Sequence, residues 1–187
     1  MKIILKALLF IGLGLVVLFI AAMLFFFVLI HSNNTEKGNK TVILNTNSAP
    51  HSKVLIVYQP SLMTDSTKNI AYDLAKGLNS KGYDVTIAYP GKYLSTDLSS
   101  YKVVVFGSPV YIGQTSSVLN DYIKSVKNLK DQRILLFVTG GADDSEQLNS
   151  LEKLFTNTES PMKMSFKYND KDNKTKAFNL GAEIGKE

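Results

Sequence analysis

From residue 53 onward, short apolar runs alternate with amphipathic segments. Four runs have the length and apolar content of strands: KVLIVY at 53–58, YDVTIAY at 83–89, KVVVFG at 102–107 and RILLFVTGG at 133–141. KVLIVY is almost continuously apolar, as expected of a strand buried on both faces. The segments between them have helical spacing. Their apolar stripes fall on Ile70, Leu74 and Leu78; on Val118, Tyr122, Val126 and Leu129; and on Leu148, Leu151 and Phe155. Strands that alternate with helices predict an α/β domain with a parallel sheet.

The pattern weakens towards the C-terminus. In PMKMSFKY at 161–168, Met162, Met164 and Phe166 alternate with polar residues, which predicts a half-exposed fifth strand at a sheet edge. Residues 169–187 are polar and weakly patterned, so no closing helix of normal length is predicted. The predicted domain therefore covers 53–168 and a polar tail covers 169–187. The first predicted helix has a Ser or Thr to cap its start and Gly82 to end it.

An uncharged apolar run occupies residues 7–30. As a helix it would reach roughly 36 Å, enough to cross a hydrocarbon core of about 30 Å. Lys2 and Lys6 also provide the basic start of a signal peptide, but the run exceeds the usual ~7–15 residues of such a segment and its exit lacks a small-residue cleavage site. Residues 1–30 are predicted to be a transmembrane anchor in contact with lipid, with a cleaved signal peptide as the alternative.

The polar segment at 31–52 is predicted to be a tether, because it is rich in Asn, Ser and Thr and has no helical period. Positive charges on the two sides of the anchor nearly balance, so the positive-inside rule gives almost no preference. A short basic terminus followed by an apolar span is the order of a signal sequence. This order leans towards a single-pass protein whose domain lies outside the cytoplasm.

Composition excludes several kinds of chemistry. The 187 residues include no cysteine, which excludes a disulfide framework, a thiolate metal site and a cysteine nucleophile. Two histidines, His31 and His51, leave little material for a metal site. The net charge of +5 comes from dispersed lysines without a basic block, so nucleic acid is not expected as a partner.

Three predicted loops leave the carboxyl ends of strands: QPSLMTDST at 59–67, GSPVYIGQTSS at 107–117 and TGGADDS at 139–145. In an open, doubly wound sheet, ligands bind outside these ends where the strand order reverses. The first loop carries four hydroxyls at a helix N-terminus, which either hold a phosphate or only cap the helix and solvate the loop. Tyr111 either lies against a flat ring or covers the sheet. Gly140 and Gly141 permit close backbone approach or form a turn.

At these residues the chain resembles the flavodoxin-like family of FMN-binding proteins. The resemblance covers roughly residues 53–155 and is carried by VLIVYQPSLMTDSTKNIAYDLAKGL, DLSSYKVVVFGSPVYIGQTSSVLNDYI and ILLFVTGGADD. It implies an α/β, flavodoxin-like, doubly wound parallel sheet of order 2-1-3-4-5 with a weak fifth strand, here preceded by one transmembrane helix.

The resemblance also implies FMN as the cofactor and electron transfer as the role, with an unknown redox partner. The phosphate would rest on the first loop and the flavin ring between the other two. The cofactor-binding residues implied are Ser61, Thr64, Ser66, Thr67, Ser108, Pro109, Val110, Tyr111, Gly113, Gly140 and Gly141. The flavin carries the redox step, so no catalytic side chain is required.

Two features depart from the family's T-G-x-T phosphate loop. Asp65 stands at the glycine position, and the residues PSLM lengthen the loop. A carboxylate within a few ångströms of a phosphate costs on the order of one to several kcal/mol. The primary hypothesis is a membrane-tethered protein that binds FMN and transfers electrons. The departures favour the alternative, a degenerate flavodoxin fold without cofactor that serves as an anchored binding module.

Overall fold

The computed structural model describes residues 2–46, 52–129, 131–155 and 160–186. It divides into two compact units, Met1–Ser32 and Asn33–Glu187. The first unit is formed by helix α1 (Lys2–Asn33). Within the described ranges, α1 alone is long and apolar enough to cross a bilayer, and a signal sequence has the same properties.

The second unit contains a six-stranded sheet and four helices among its described residues. The strands are β1 (Thr41–Leu44), β2 (Ser52–Tyr58), β3 (Tyr83–Ala88), β4 (Val103–Pro109), β5 (Arg133–Gly140) and β6 (Met162–Lys167). The helices are α2 (Ser66–Asn79), α3 (Ser117–Ser125), α4 (Ser145–Glu152) and α5 (Asn173–Ile184). The strand order is β1-β3-β2-β4-β5-β6, in which β1 alone pairs antiparallel.

Strands β2 to β6 confirm the predicted doubly wound parallel sheet of order 2-1-3-4-5. The neighbours β2 and β4 pair from Val54↔Val103 to Tyr58↔Gly107, so the winding reverses between them. β6 pairs parallel with β5 at the edge of the sheet, as the alternating pattern predicts. Both faces of β2 are buried, because Ile56 belongs to one apolar core and Leu55 to the other. This double burial explains the near-continuous hydrophobicity of the strand.

A strand lies in the segment that was expected to be a polar tether. α1 continues to Asn33, and β1 pairs with β3 from Thr41↔Ala88 to Leu44↔Val85, which corrects the expectation for 31–52. Val42 and Leu44 pack against the core, whereas Thr41 is exposed. An alternation of only four residues is too short to stand out in an Asn-rich segment. His51 lies outside the described residues.

A closing helix replaces the expected polar tail at 169–187. α5 buries Ala177, Leu180, Gly181 and Ile184 against the core that includes α2. The remaining positions of α5 are mostly polar and exposed. Because two of the four contact residues are small, the helix has little apolar content, and its pattern was missed for that reason.

The other three helices of this unit are shorter than predicted. α4 ends at Glu152, so Phe155 of its predicted stripe lies beyond it. α3 ends at Ser125, so Val126 and Leu129 of the predicted stripe lie beyond it, and its buried face consists of Leu119, Tyr122 and Ile123. α2 ends at Asn79, and Gly82 lies instead at φ 87° in the turn before β3. The spacing of apolar residues can continue beyond the last backbone hydrogen bond of a helix, so spacing alone predicts helices that are too long.

Glycines bring α2 and α5 into backbone contact. A Cβ on Gly181 would lie 2.2 Å from the carbonyl oxygen of Leu74, and a Cβ on Gly77 would lie 2.1 Å from that of Phe178. Both distances are shorter than any real Cβ contact. The helices therefore have no room for a methyl group at either position.

We expect Gly181→Ala to lower the free energy of unfolding by about 1–3 kcal/mol, because the added methyl overpacks the interface. The measurement is a urea titration of the full chain in detergent, followed by circular dichroism. Asn179→Ala, on the exposed face of α5, is the matched control and should change stability by less than about 0.5 kcal/mol. Equal stability of Gly181→Ala and wild type would contradict the close contact.

Candidate functional site

The loops that follow β2 and β4 meet at the carboxyl edge of the sheet, where the winding reverses. The hydroxyl of Tyr111 lies 2.7 Å from Oγ of Ser61 and accepts a hydrogen bond from the backbone N–H of Met63 at 3.3 Å. One tyrosine side chain therefore joins the two loops.

The carboxyl end of β5 and the helix that follows it, α4, complete this arrangement. The hydroxyls of Thr67 and Thr139 are 2.6 Å apart and buried. The N–H of Val110 donates to the carbonyl of Thr139 at 2.8 Å, and Nε2 of Gln147 donates to the carbonyl of Gly113 at 3.0 Å. The three loops predicted to carry the site are therefore brought together at one edge.

The N-terminus of α2 opens onto this edge. The N–H of Ser66 donates to Oγ1 of Thr64 at 3.4 Å, and the N–H of Thr64 donates to Oγ of Ser61 at 3.2 Å. The residue before the helix, Asp65, makes no side-chain cap bond. First-turn amides of a 14-residue helix, together with its dipole, favour an anion at this end.

Asp65 is the residue expected to oppose an anion at this position. Its side chain is 72% exposed and lies 3.4 Å from Nζ of Lys68. Water and the lysine charge both weaken the field of this carboxylate. The departure from glycine therefore leaves the helix N-terminus approachable by an anion.

Several of the predicted cofactor contacts are buried within the fold. The hydroxyl of Ser108 donates to the carbonyl of Pro109 at 2.8 Å and accepts from the N–H of Ser116 at 2.9 Å. Pro109, Gly140 and Thr67 are also buried. The remaining predicted residues are half-buried or exposed: Ser61, Thr64, Ser66, Val110, Tyr111, Gly113 and Gly141.

A tight turn places Tyr111 in this edge. Tyr111 and Gln114 exchange two backbone hydrogen bonds of 3.0 Å, and the two residues between them, Ile112 and Gly113, have φ of 49° and 68°. Positive φ is strained for a β-branched residue, and such strain concentrates at ligand sites. Ile112 was not among the predicted residues, and the sequence signal for it is the Ile-Gly pair within GSPVYIGQ.

Asp144 is a second residue that the sequence analysis did not single out. It is 7% exposed, and its Oδ2 has no hydrogen-bond partner among the described residues. A Cβ on Gly140 would lie 1.8 Å from that oxygen, so a larger residue there would force the Asp144 carboxylate to move. Burial, and then the neighbouring Asp143, raise the pKa of Asp144.

The chain enters the second unit at the same edge. Nε2 of Gln59, the residue after β2, donates to the carbonyl of Asn33 at 2.9 Å, and Oγ of Ser116 donates to the same carbonyl at 2.6 Å. The N–H of Ser117, at the start of α3, donates to Oδ1 of Asn34 at 2.8 Å. These bonds fix the first residues of the unit beside the reversal point of the sheet.

Comparisons with known structures find the same fold. A flavodoxin from Streptococcus pneumonia TIGR4 has a TM-score of 0.56 and 16% identity, over 72% of this chain and 97% of that chain. A flavodoxin from the domain Archaea has a TM-score of 0.51 and 16% identity, over 71% and 96%. The flavodiiron protein from Giardia intestinalis has a TM-score of 0.54 and 18% identity, over 73% of this chain and 36% of that chain.

At these identities the structural likenesses establish the fold alone. Comparison with curated proteins found no match. The family model described as Flavodoxin domain matches residues 64–182, which is more than half of the chain. The match takes in the N-terminus of α2, the two later loops and the closing helix α5. The chain belongs to the Flavodoxin domain family.

Proposed function

We propose that this protein binds FMN at the carboxyl edge of its sheet and transfers electrons, tethered to a membrane by α1. The convergence of the three loops is the observation that carries the proposal, because FMN needs a phosphate seat and a ring seat side by side. Membership of the Flavodoxin domain family supports FMN as the ligand.

The N-terminus of α2 suits the FMN phosphate. Thr64 and Ser66 provide hydroxyls, the amides of Thr67 and Lys68 belong to the first turn, and the Lys68 ammonium offsets the charge of Asp65. An anion at a helix N-terminus is favoured by the dipole and by the unpaired N–H groups together. Thr67 then contributes its amide, since its hydroxyl is held by Thr139.

The loops after β4 and β5 suit the flat ring. Tyr111 offers an aromatic face, Val110 and Gly113 lie in the same loop, and Gly141 directly follows β5. A bound flavin supplies reversible electron transfer, and the protein tunes its potential through stacking, hydrogen bonds and local charge. These residues bind the ring, orient it and exclude water from its face.

One contact favours a second function, that of a cofactor-free module that binds a partner. The bond between Tyr111 and Ser61 links the two loops without any ligand. In this alternative the bond is the resting closure of the site, and the exposed loop residues serve a macromolecular partner.

A titration of FMN into the full chain in detergent separates the two functions. Saturable quenching of FMN fluorescence at micromolar concentration supports the flavoprotein, because flavin emission falls on stacking against an aromatic ring. Unchanged emission throughout that range contradicts it and leaves the binding module. Heat-denatured protein is the control for nonspecific quenching.

Two substitutions at Tyr111 should have opposite effects on FMN. Tyr111→Phe keeps the ring and removes the bond to Ser61, so we expect FMN to bind roughly 2–10-fold more tightly. Tyr111→Ala removes the stacking surface, so we expect affinity to fall roughly ten-fold. The dissociation constants come from the same fluorescence titration, with Tyr93→Phe, at an exposed tyrosine after β3, as control. If both Tyr111 variants bound FMN more weakly than wild type, the hydrogen bond between Tyr111 and Ser61 would not be what closes the site.

Asp65→Asn tests the phosphate seat. Removal of the carboxylate should tighten FMN about five-fold at low salt, and the gain should shrink as salt rises. Riboflavin lacks the phosphate and should bind wild type and variant equally. A parallel gain for both ligands would show that the substitution acts on the loop and not through charge.

The raised pKa of Asp144 predicts a pH dependence of stability. A carboxyl whose folded pKa exceeds its unfolded value stabilises the fold most below the unfolded pKa of about 3.9, and this contribution is lost as pH rises through the folded pKa. Asp144→Asn should therefore be more stable than wild type at pH 7, with a difference that disappears near pH 4. Thermal unfolding across this range measures it, and a variant that is less stable at pH 7 would contradict the assignment.

A further inference from the structure

Exposed apolar side chains of the second unit concentrate at the carboxyl edge of its sheet. Of the eight large ones among the described residues of this unit, five lie in loops that follow parallel strands. They are Leu62 and Met63 after β2, Tyr93 after β3, Ile112 after β4 and Tyr168 after β6. The other three, Ile43, Met162 and Phe178, lie on β1, β6 and α5.

Three of these residues form one apolar rim around the proposed ring seat. The Tyr111 hydroxyl contacts Ser61 and the backbone of Met63, so it joins its own loop to the loop that contains Leu62 and Met63. Ile112, the next residue after Tyr111, is therefore close to that loop. Met63 is 56% and Ile112 61% exposed. Exposure of these large apolar side chains to water costs free energy, and Ile112 adds backbone strain. Contact with an apolar surface would offset this cost.

The chain enters this unit at the same edge. The carbonyl of Asn33, the last residue of α1 and the first of this unit, accepts hydrogen bonds from Gln59 and Ser116. When α1 is anchored in a bilayer, the carboxyl edge of the second unit is thus the edge attached by the shortest covalent path. A lipid surface is therefore the occupant that this edge meets first.

The chemistry of the edge matches an uncharged lipid surface. Tyr93 with Lys92 beside it is an amphipathic pair of the kind enriched where membrane meets water. Asp65 and Asp143 are exposed at the same edge, and the positive charges of Lys68 and Lys92 offset them, so the edge has no surplus of charge to attract anionic headgroups. The attraction is therefore apolar and is expected with zwitterionic lipid.

We propose that the carboxyl edge of the second unit docks onto the bilayer surface through Leu62, Met63, Tyr93, Ile112 and Tyr168. The docking rests on the proposed anchoring by α1, and it turns the proposed flavin seat towards redox partners dissolved in lipid. Such partners are small apolar molecules that accept or donate electrons.

The absence of tryptophan from the chain allows a clean test. Ile112→Trp and Lys102→Trp place single reporters at opposite ends of β4, roughly 23 Å apart along the strand. Leu62→Trp is a second edge reporter at a position without positive φ. Each full-length variant is reconstituted without FMN into phosphatidylcholine vesicles whose acyl chains are brominated near the headgroups, and vesicle association is followed by flotation.

Docking predicts that bromine quenches both edge reporters at least about two-fold more than the Lys102→Trp reporter, with a blue shift of their emission. Vesicle-bound protein with equal quenching at the two ends of β4 would overturn the docking alone and leave a protein partner or a second copy as the occupant. Protein that remains in solution would overturn the anchor and the docking together. Neither result depends on FMN, so the cofactor proposal fails or stands separately in its own titration.

Discussion

The reversal of winding between β2 and β4 is the constraint on which the rest of the structure depends. Their ladder runs to Tyr58↔Gly107, and one further bond, from the N–H of Gln59 to the carbonyl of Gly107 at 2.9 Å, carries it to the last residue before the loop. Chains leaving these two strands turn to opposite faces of the sheet, and the hydrogen bond between Tyr111 and Ser61 joins their loops again at the carboxyl edge. The candidate site is built at this point of reversal.

Helix α2 connects stability with the site. Its N-terminus provides the proposed phosphate seat, and its C-terminal half packs on α5 through Leu74, Gly77 and Gly181. A helix whose C-terminal half is held by backbone contact supports its first turn, and an anion site requires a fixed first turn. The closing helix therefore contributes to the site without touching it.

The central strands and their order were predicted well from the sequence. β2, β4 and β5 are buried on both faces, and this burial requires long runs of apolar residues. It missed β1 and α5, where half-buried or glycine-mediated packing leaves few large apolar residues. Among the site residues, the three loops were found from strand ends alone. Thr67 and Ser108 turn inward because they bond to Thr139 and Ser116, and residue spacing does not reveal these pairings. The position of Asp144 behind Gly140 likewise required coordinates.

The hydrogen bond between Tyr111 and Ser61 separates two states of the carboxyl edge. In one the bond holds the loops together, and in the other a bound ring replaces it. A hydrogen bond of this kind contributes about 1 kcal/mol net, which is less than stacking and burial of a flavin ring provide. The loops are thus held closed weakly enough for a ring to open them. The positive φ of Ile112 places strain in the same turn, which favours a turn that rearranges when a ligand binds.

Hydrogen exchange of the full chain, with and without FMN, tests most directly whether the three loops form one seat. We predict that FMN slows amide exchange in all three segments, residues 59–67, 108–116 and 139–144, and changes it little at the amino ends of the strands. Protection confined to one of these loops, or none at saturating FMN, would contradict it.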